Sequence, residues 1–471
     1  MKNNARLLKN VIVLGLGSAI SKLTVLLMIP LYTASLTPAA FGTVDILINT
    51  AVLLLPFVSI SAPEAVFRFA AGGYSEGEVL AVGRRMLLFG SFLLLFALPV
   101  LGLFDIFRPY LLYLFFYVLF SVIHSYAAHV LRARGQYGLY TVQQVFCTLL
   151  TVSLAFLFLP VLGLGERGYL MSIFLADAVT ALILCVYLGR ERAGKVRDTS
   201  QLLRPMLRYA LPLIPTATLW WVLSACDHYI LLAYRGEAAI GLYAAAGKLP
   251  ALLTFAASIF LEAWHFAAIR ESEERKGVLF EKIYAVFLPA MILLTLTLIL
   301  CSPLFVQRLF AFDFSEAALY VPLLSVASLF SALSSFLGSV YLVKLRSGAS
   351  LVSVLVGAAV NLTLDFLWIP SQGALGAMMA TLASYMTIFL WRAVHCHRIM
   401  PFTQHLGKLT LSTLFLLGVA YLTMMEHLEA VPWLILPTIL PFWRELYDTA
   451  RLFIQFCRRF LHISTKKEKR S

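Results

Sequence analysis

Charge is scarce in this sequence: 13% of its 471 residues are Asp, Glu, Lys or Arg, against roughly 25% in soluble proteins. Acids are the scarcer kind, with 24 Asp and Glu beside 37 Lys and Arg. Apolar residues instead reach 61%, with a mean hydropathy of +0.87. Such a chain needs lipid as its solvent, which excludes soluble enzymes, nucleic-acid-binding modules, disordered tails and disulfide scaffolds. Metal and catalytic motifs are missing too. The six cysteines (Cys147, Cys185, Cys226, Cys301, Cys396 and Cys457) show no metal-ligand spacing. Cys396 lies between His395 and His397, but alternate positions on a helix diverge and no second half of a site accompanies them. There is no Gly-rich phosphate loop, His-Glu-x-x-His or nucleophile elbow. No catalytic residue, metal or cofactor is therefore assigned, and the chain does not read as an enzyme. The net charge of +13 has a simpler reading than nucleic acid, because excess Lys and Arg mark the cytoplasmic loops of membrane proteins.

What is abundant is apolar sequence in long runs. Apolar runs broken by charge and by Gly/Pro clusters predict helices near 11–34, 43–69, 84–104, 109–131, 140–162, 168–189, 209–232, 241–265, 279–302, 317–343, 349–369, 373–395, 405–425 and 428–446. The expected fold class is an all-α membrane protein of about fourteen transmembrane helices, each of about 20 residues. The last is the weakest, since Pro432, Pro437 and Pro441 punctuate it. The basic start through Lys9 resembles a signal peptide, but Lys22 interrupts its apolar run and no convincing cleavage site follows, so a retained first helix is expected.

Charge placement sets the topology. Only Arg108, Arg167, Arg235 and Arg308 fall in one set of alternating connections, and Lys22 and Lys248 fall inside helices. The other Lys and Arg collect in the opposite set, which predicts both termini in the cytoplasm. Trp264, Trp368, Trp391, Trp433 and Trp443 fall near helix ends, where an aromatic belt belongs. The basic connection near 190–208 divides the chain into a lobe at 1–189 and a second at 209–395, followed by two helices at 396–446 and a basic tail at 447–471. Thr37-Pro-Ala-Ala-Phe-Gly42 and Glu237-Ala-Ala-Ile-Gly241 occupy matching places in the two lobes. The implied parallel repeat suits a transporter with a site between its halves. In the tail, Tyr447, Ala450, Phe453, Ile454, Cys457 and Leu461 recur at helical spacing among arginines, so either an interfacial helix on anionic headgroups or a solvated basic tail is expected.

Charges inside hydrocarbon cost about 2.5–3.5 kcal/mol even on the lenient insertion scale, and so point to sites. Lys22 lies about 18 Å along its helix and Lys248 about 10 Å from the end of its own, at 1.5 Å per residue. With Arg68 they make a cationic set suited to a phosphate-bearing ligand. Asp227 is expected at the depth of Lys248, either as its ion-pair partner or as a cation or proton site for coupling. Glu64 and Arg68, spaced i,i+4, read as a second pair. Asp45, Asp177 and Asp365 are further acids within or near the spans, while His124 and His129 read as packed side chains. Prolines at 30, 56, 63, 212, 215 and 250 mark helices able to bend. No outer loop exceeds roughly fifteen residues, which leaves little material for a glycan polymerase site.

Several segments together resemble a known family. Gly17-Ser-Ala-Ile-Ser-Lys22, Pro30-Leu-Tyr-Thr33, Leu36-Thr-Pro38, Phe41-Gly42 and Asp45 resemble the opening of the polysaccharide biosynthesis (Wzx-type) flippases. These belong to the multidrug/oligosaccharidyl-lipid/polysaccharide exporter superfamily. Arg208 to Pro215, Asp227, Gly241 to Lys248, and Asn361 through Tyr385 continue the similarity over nearly the whole chain. His228 departs from it, where the family often carries Arg. The resemblance implies fourteen helices in two lobes, a cationic central cavity, and export of undecaprenyl-pyrophosphate-linked oligosaccharide across a bacterial cytoplasmic membrane, coupled to a proton or sodium gradient. It implies that Lys22, Arg68 and Lys248 meet the pyrophosphate or acidic sugars. A self-contained transporter of this kind can work as a monomer. A flippase of lipid-linked peptidoglycan precursor and a drug/cation antiporter are the nearest alternatives, and a membrane-bound glycan polymerase is the alternative of another class.

Overall fold

A computed structural model describes residues 24, 27–190, 200–427 and 429–447. Among them every regular element is helical, as hydrocarbon demands when each backbone N–H and C=O must be paired within its own segment. In chain order the α-helices are α1 (Ile29–Ser35), α2 (Pro38–Ser59), α3 (Ala62–Ala71), α4 (Glu76–Leu101), α5 (Leu111–Ala133), α6 (Tyr137–Phe156), α7 (Gly165–Arg190), α8 (Ser200–Ala210) and α9 (Leu213–Arg235). They continue as α10 (Glu237–Gly247), α11 (Ala251–Arg270), α12 (Glu273–Leu309), α13 (Val321–Val343), α14 (Ser347–Gln372), α15 (Ala374–Ile399), α16 (Leu406–Met424) and α17 (Val431–Ile439). Twelve described segments are long and apolar enough to cross a membrane. The predicted first span and the tail beyond Tyr447 fall largely or wholly outside the described residues. The predicted last span is broken into the nine-residue α17, a 3₁₀ turn over Leu440–Phe442 and a helical turn from Trp443, consistent with its prolines.

Two predicted helices are each built in two pieces. The run at 43–69 becomes α2 and α3, separated by Ile60 and Ser61 at φ 50° and 47°. A β-branched residue in left-handed backbone is costly. Here Pro56 lies within the last turn of α2, and Pro63 suits the first turn of α3, where its missing N–H is harmless. At its other end α2 is capped by Thr37, whose Oγ1 accepts the Ala40 N–H at 3.2 Å. The run at 241–265 likewise splits into α10 and α11 around Lys248, Leu249 and Pro250. Part of the basic connection is itself a helix, α8, which buries Leu202, Met206 and Ala210 against α3 and α4.

The chain forms two compact units. The first comprises residues 1–248, 305–317 and 354–380. Its core gathers Val66, Val79, Val82, Leu94, Leu114, Val118 and Met206 from α3, α4, α5 and α8. Helices α2 and α10 meet at glycines: a Cβ on Gly241 would lie 1.7 Å from the Pro38 carbonyl oxygen, and one on Gly42 would lie 2.1 Å from that of Glu237. Small residues permit this backbone approach, as between membrane helices generally. The two segments that matched in sequence therefore touch in space.

The second unit comprises residues 249–304, 318–353 and 381–471. Its centre is aromatic: Phe336 stacks on Trp264 and Phe287 at centroid distances of 5.5 and 5.2 Å, with Phe280 and Tyr284 around it. Trp264 is thus a core residue, 4% exposed, and not part of an aromatic belt. Trp391, Trp433 and Trp443 remain exposed.

Candidate functional site

Within the first unit, α2, α9 and α10 place charged side chains at the end of a glycine crossing. Asp45 lies one turn beyond Phe41 on α2 and is 8% exposed. Its Oδ2 accepts hydrogen bonds from His228 Nδ1 at 2.6 Å and Asn49 Nδ2 at 2.8 Å. The Lys248 ammonium approaches Oδ1 at 3.9 Å and sits 5.9 Å from the centroid of the Phe41 ring. Lys248 is the C-cap of α10, the helix that runs along α2. Its side chain therefore meets the acid on α2. Asp227, the partner expected from the α9–α10 hairpin, accepts the Tyr243 hydroxyl at 2.6 Å and lies 3.8 Å from His228 Nε2. The structure thus brings Asp227 and Lys248 into one network through His228 and Asp45.

Helix α14 adds a polar pocket beside this network. Asn361 and Asp365, one turn apart, are 1% and 0% exposed. The Cys226 thiol reaches Asn361 Oδ1 at 3.3 Å and Asp365 Oδ2 at 3.6 Å. Asn361 Nδ2 and Asp365 Oδ1 are buried without a hydrogen-bond partner among the described residues. Unpaired buried polar atoms are costly, and here the free Asp365 oxygen offers a ligand for a small cation or a place for a proton. Asp365 falls at neither terminus of α14. An Asn-x-x-x-Asp step in an otherwise apolar run was the available signal.

A second cluster ties α5, α6 and α7 together. Asp177 accepts from Ser121, from His124 Nδ1 at 2.8 Å and from the Cys147 thiol at 3.5 Å. The other nitrogen of His124 contacts Gln143 Oε1 at 2.7 Å. The donor atoms of His124, Cys147 and Asp177 lie within 4.8 Å of one another, but their mutual hydrogen bonds already satisfy the imidazole and carboxylate. The arrangement reads as an internal polar brace. His129 turns to the Ser125 carbonyl instead, as the i,i+5 spacing implied. In the second unit His395 meets Tyr341 at 2.9 Å and Cys396 points to the Leu337 carbonyl, so the His-Cys-His triplet does diverge.

The remaining predicted residues stand apart. Glu64 and Arg68 are both exposed on α3 and form no ion pair among the described residues, so helical spacing alone does not close that pair. Lys22 lies outside the described residues. Sequence reasoning also missed Arg392, which is 3% exposed. It donates through Nε to Ser353 Oγ at 2.9 Å and through Nη1 to the Ser334 carbonyl at 2.8 Å. The absent side chain of Gly338 makes room for it, since a Cβ there would lie 2.7 Å from Nη1.

An apolar helical scaffold thus holds a cation–carboxylate network among its helices, where charge is costly and points to function. Solved structures agree on the fold. The lipid II flippase MurJ in an inward closed conformation matches with a TM-score of 0.69 at 14% identity, over 95% of this chain and 100% of that one. An inward-facing multidrug resistance MATE family transporter of the MOP superfamily matches with a TM-score of 0.64 at 15% identity, over 80% and 95%. A MOP superfamily transporter from Pyrococcus furiosus, described as having a binding pocket of reverse polarity, gives 0.57 at 16% identity, over 82% and 95%. No curated protein matches the chain. The family profile for polysaccharide biosynthesis proteins matches residues 7–265, and the chain belongs to that family. It is a multi-pass membrane protein of that family, and it shares its fold with these flippase and transporter structures.

Proposed function

We propose that this protein exports undecaprenyl-pyrophosphate-linked oligosaccharide across a bacterial cytoplasmic membrane by alternating access, driven by a proton or sodium gradient. The observation that carries the reading is the Lys248–Asp45–His228 network that joins α2, α9 and the end of α10 in a polysaccharide-biosynthesis family member. Lys248 is 35% exposed and separated from Asp45 by 3.9 Å, a loose contact that a pyrophosphate can replace. The diphosphate then takes the ammonium as a point-charge partner, while Asn49 and His228 retain Asp45. Lys22 and Arg68 are assigned to the same anionic cargo at other stages of its passage.

The coupling ion is assigned to Asp365, Asn361 and Asp227, whose oxygens suit sodium or a proton. Because Cys226 and Asp227 are adjacent on α9, occupancy of that pocket bears directly on the helix that carries His228. The glycine crossing of α2 and α10 separates during the cycle, with the breaks at Ile60–Ser61 and Leu249–Pro250 absorbing the bend. The lobes at 1–189 and 209–395 are the moving parts, and the working form is a monomer in contact with anionic lipids at its basic tail.

The similarity to the lipid II flippase favours a lipid-linked peptidoglycan precursor as the second reading. Binding in lipid nanodiscs tests the cationic role. Undecaprenyl pyrophosphate should bind more tightly than undecaprenol, and Lys248→Gln should remove much of the difference. Equal binding of the two lipids by the wild type would refute the assignment.

A further inference from the structure

A cavity of about 360 Å³ lies between α2 and α9 in the first unit, lined by residues that include Asn49, Pro56, Thr218, Trp220, Trp221 and Ser224. Tryptophan normally collects at membrane surfaces. Here Trp220 is about 22 Å from the Arg235 end of α9 and about 10 Å from its start, at 1.5 Å per residue. Asn49 is similarly about 16 Å into α2. Trp221 is fixed by its indole N–H, which donates to the Asn49 carbonyl at 2.8 Å, and by a tilted contact with Tyr229 at 5.2 Å. Trp220 is 46% exposed, and its indole N–H has no hydrogen-bond partner among the described residues. Leaving that donor in hydrocarbon would be costly.

The polar groups beside it are set as acceptors. Thr218 donates its hydroxyl proton to the Ile214 carbonyl at 3.0 Å, and Ser224 donates to the Trp220 carbonyl at 2.9 Å, leaving hydroxyl lone pairs. Asn49 uses its amide N–H on Asp45, so its side-chain oxygen remains an acceptor. One exposed indole face with three acceptors and one donor matches a sugar ring. The C–H face of a pyranose is apolar and slightly positive, and it lies against the negative face of an indole, while its hydroxyl groups donate at the edge. A few placed polar groups in an otherwise apolar cavity give such sites their orientation.

We infer that Trp220, with Asn49, Thr218 and Ser224, forms a subsite for a sugar ring of the cargo, one that recognises the glycan and not the pyrophosphate. The inference rests on the reading of the cargo as a lipid-linked oligosaccharide. Asn49, four residues from Asp45 on α2 and hydrogen-bonded to it, puts the sugar subsite beside the phosphate-binding charges.

The test uses full-length protein in nanodiscs and two probes, undecaprenyl pyrophosphate carrying an N-acetylhexosamine-containing tetrasaccharide and sugar-free undecaprenyl pyrophosphate. Trp220→Ala should weaken binding of the first by about threefold to tenfold, the value of one aromatic contact, and leave the second unchanged. Trp220→Tyr, which keeps an aromatic face, should recover most of the loss. Equal changes for both probes, or no change for the glycosylated one, would overturn the subsite. If the wild type binds the two probes equally, the subsite falls while the anionic-lipid reading stands; if it binds neither, both fall. Because Trp220 is half exposed, retained thermal unfolding behaviour in Trp220→Ala would separate recognition from misfolding.

Discussion

Replacing Gly241 by alanine tests the α2–α10 crossing as the element that opens and closes. The added Cβ would lie 1.7 Å from the Pro38 carbonyl oxygen, where ordinary contact begins at 3.4 Å. The neighbouring atom is backbone, so no side chain can rotate away, and the helices must separate locally by about 1.7 Å. Overpacking of this kind costs about 1–3 kcal/mol, which corresponds to a shift of about 5- to 150-fold between two states. In an element that exists in crossed and separated forms, the crossed form bears this cost. Spin labels at Ala34 and Ala238, introduced as cysteines after replacement of the native cysteines, would report the distance between the adjoining chain ends. Gly241→Ala should move population from a short to a longer distance, and Gly42→Ala should do the same, its Cβ lying 2.1 Å from the Glu237 carbonyl. Unchanged distance distributions in both variants, with the protein folded, would refute the argument.

Asp45→Asn removes the carboxylate that competes with pyrophosphate for Lys248. It should tighten binding of undecaprenyl pyrophosphate by up to about tenfold, about 1.4 kcal/mol, and slow turnover, as measured by equilibrium binding and by translocation in liposomes. Asp365→Asn should abolish stimulation by an ion gradient while cargo binding persists; a variant still driven by both proton and sodium gradients would exclude Asp365 from coupling. Asp177→Ala should lower thermal stability in nanodiscs, since Ser121, His124 and Cys147 lose their common acceptor at a cost of about 1–3 kcal/mol for each buried group left unpaired. Asp177→Asn should cost less, and equal melting of Asp177→Ala and wild type would refute the brace.

Spans were legible in the sequence because burial in lipid imposes a long apolar run on every crossing, and α5 to α7 follow the predicted segments closely. Breaks were harder to read. Pro56 and Pro63 announced a bend, but nothing about Ile60 as a residue type announces left-handed backbone. The site was legible in part, because a lysine in hydrocarbon is conspicuous by its cost, and Lys248 proved to sit in a charged network. Its partner was not legible, because depth along a hairpin says nothing of azimuth. Asp45 and His228 stand 183 residues apart and meet only through the packing of α2 against α9 and α10. Arg392 was hidden by its position near a helix end, where a charge gives no signal of burial. Its burial depends on Gly338 and the two serines on neighbouring helices, a combination visible only after folding.

Vectorial movement of a glycan lipid can be measured directly. The full-length protein in sealed liposomes, with fluorescent undecaprenyl-pyrophosphate oligosaccharide in both leaflets, can be followed by loss of inner-leaflet label under an imposed proton or sodium gradient. Vectorial export of the glycan lipid should give gradient-stimulated movement, unchanged glycan length, and a marked loss of rate in Lys248→Gln. No movement of any glycan lipid, together with gradient-driven movement of cationic dyes, would contradict it and identify an antiporter.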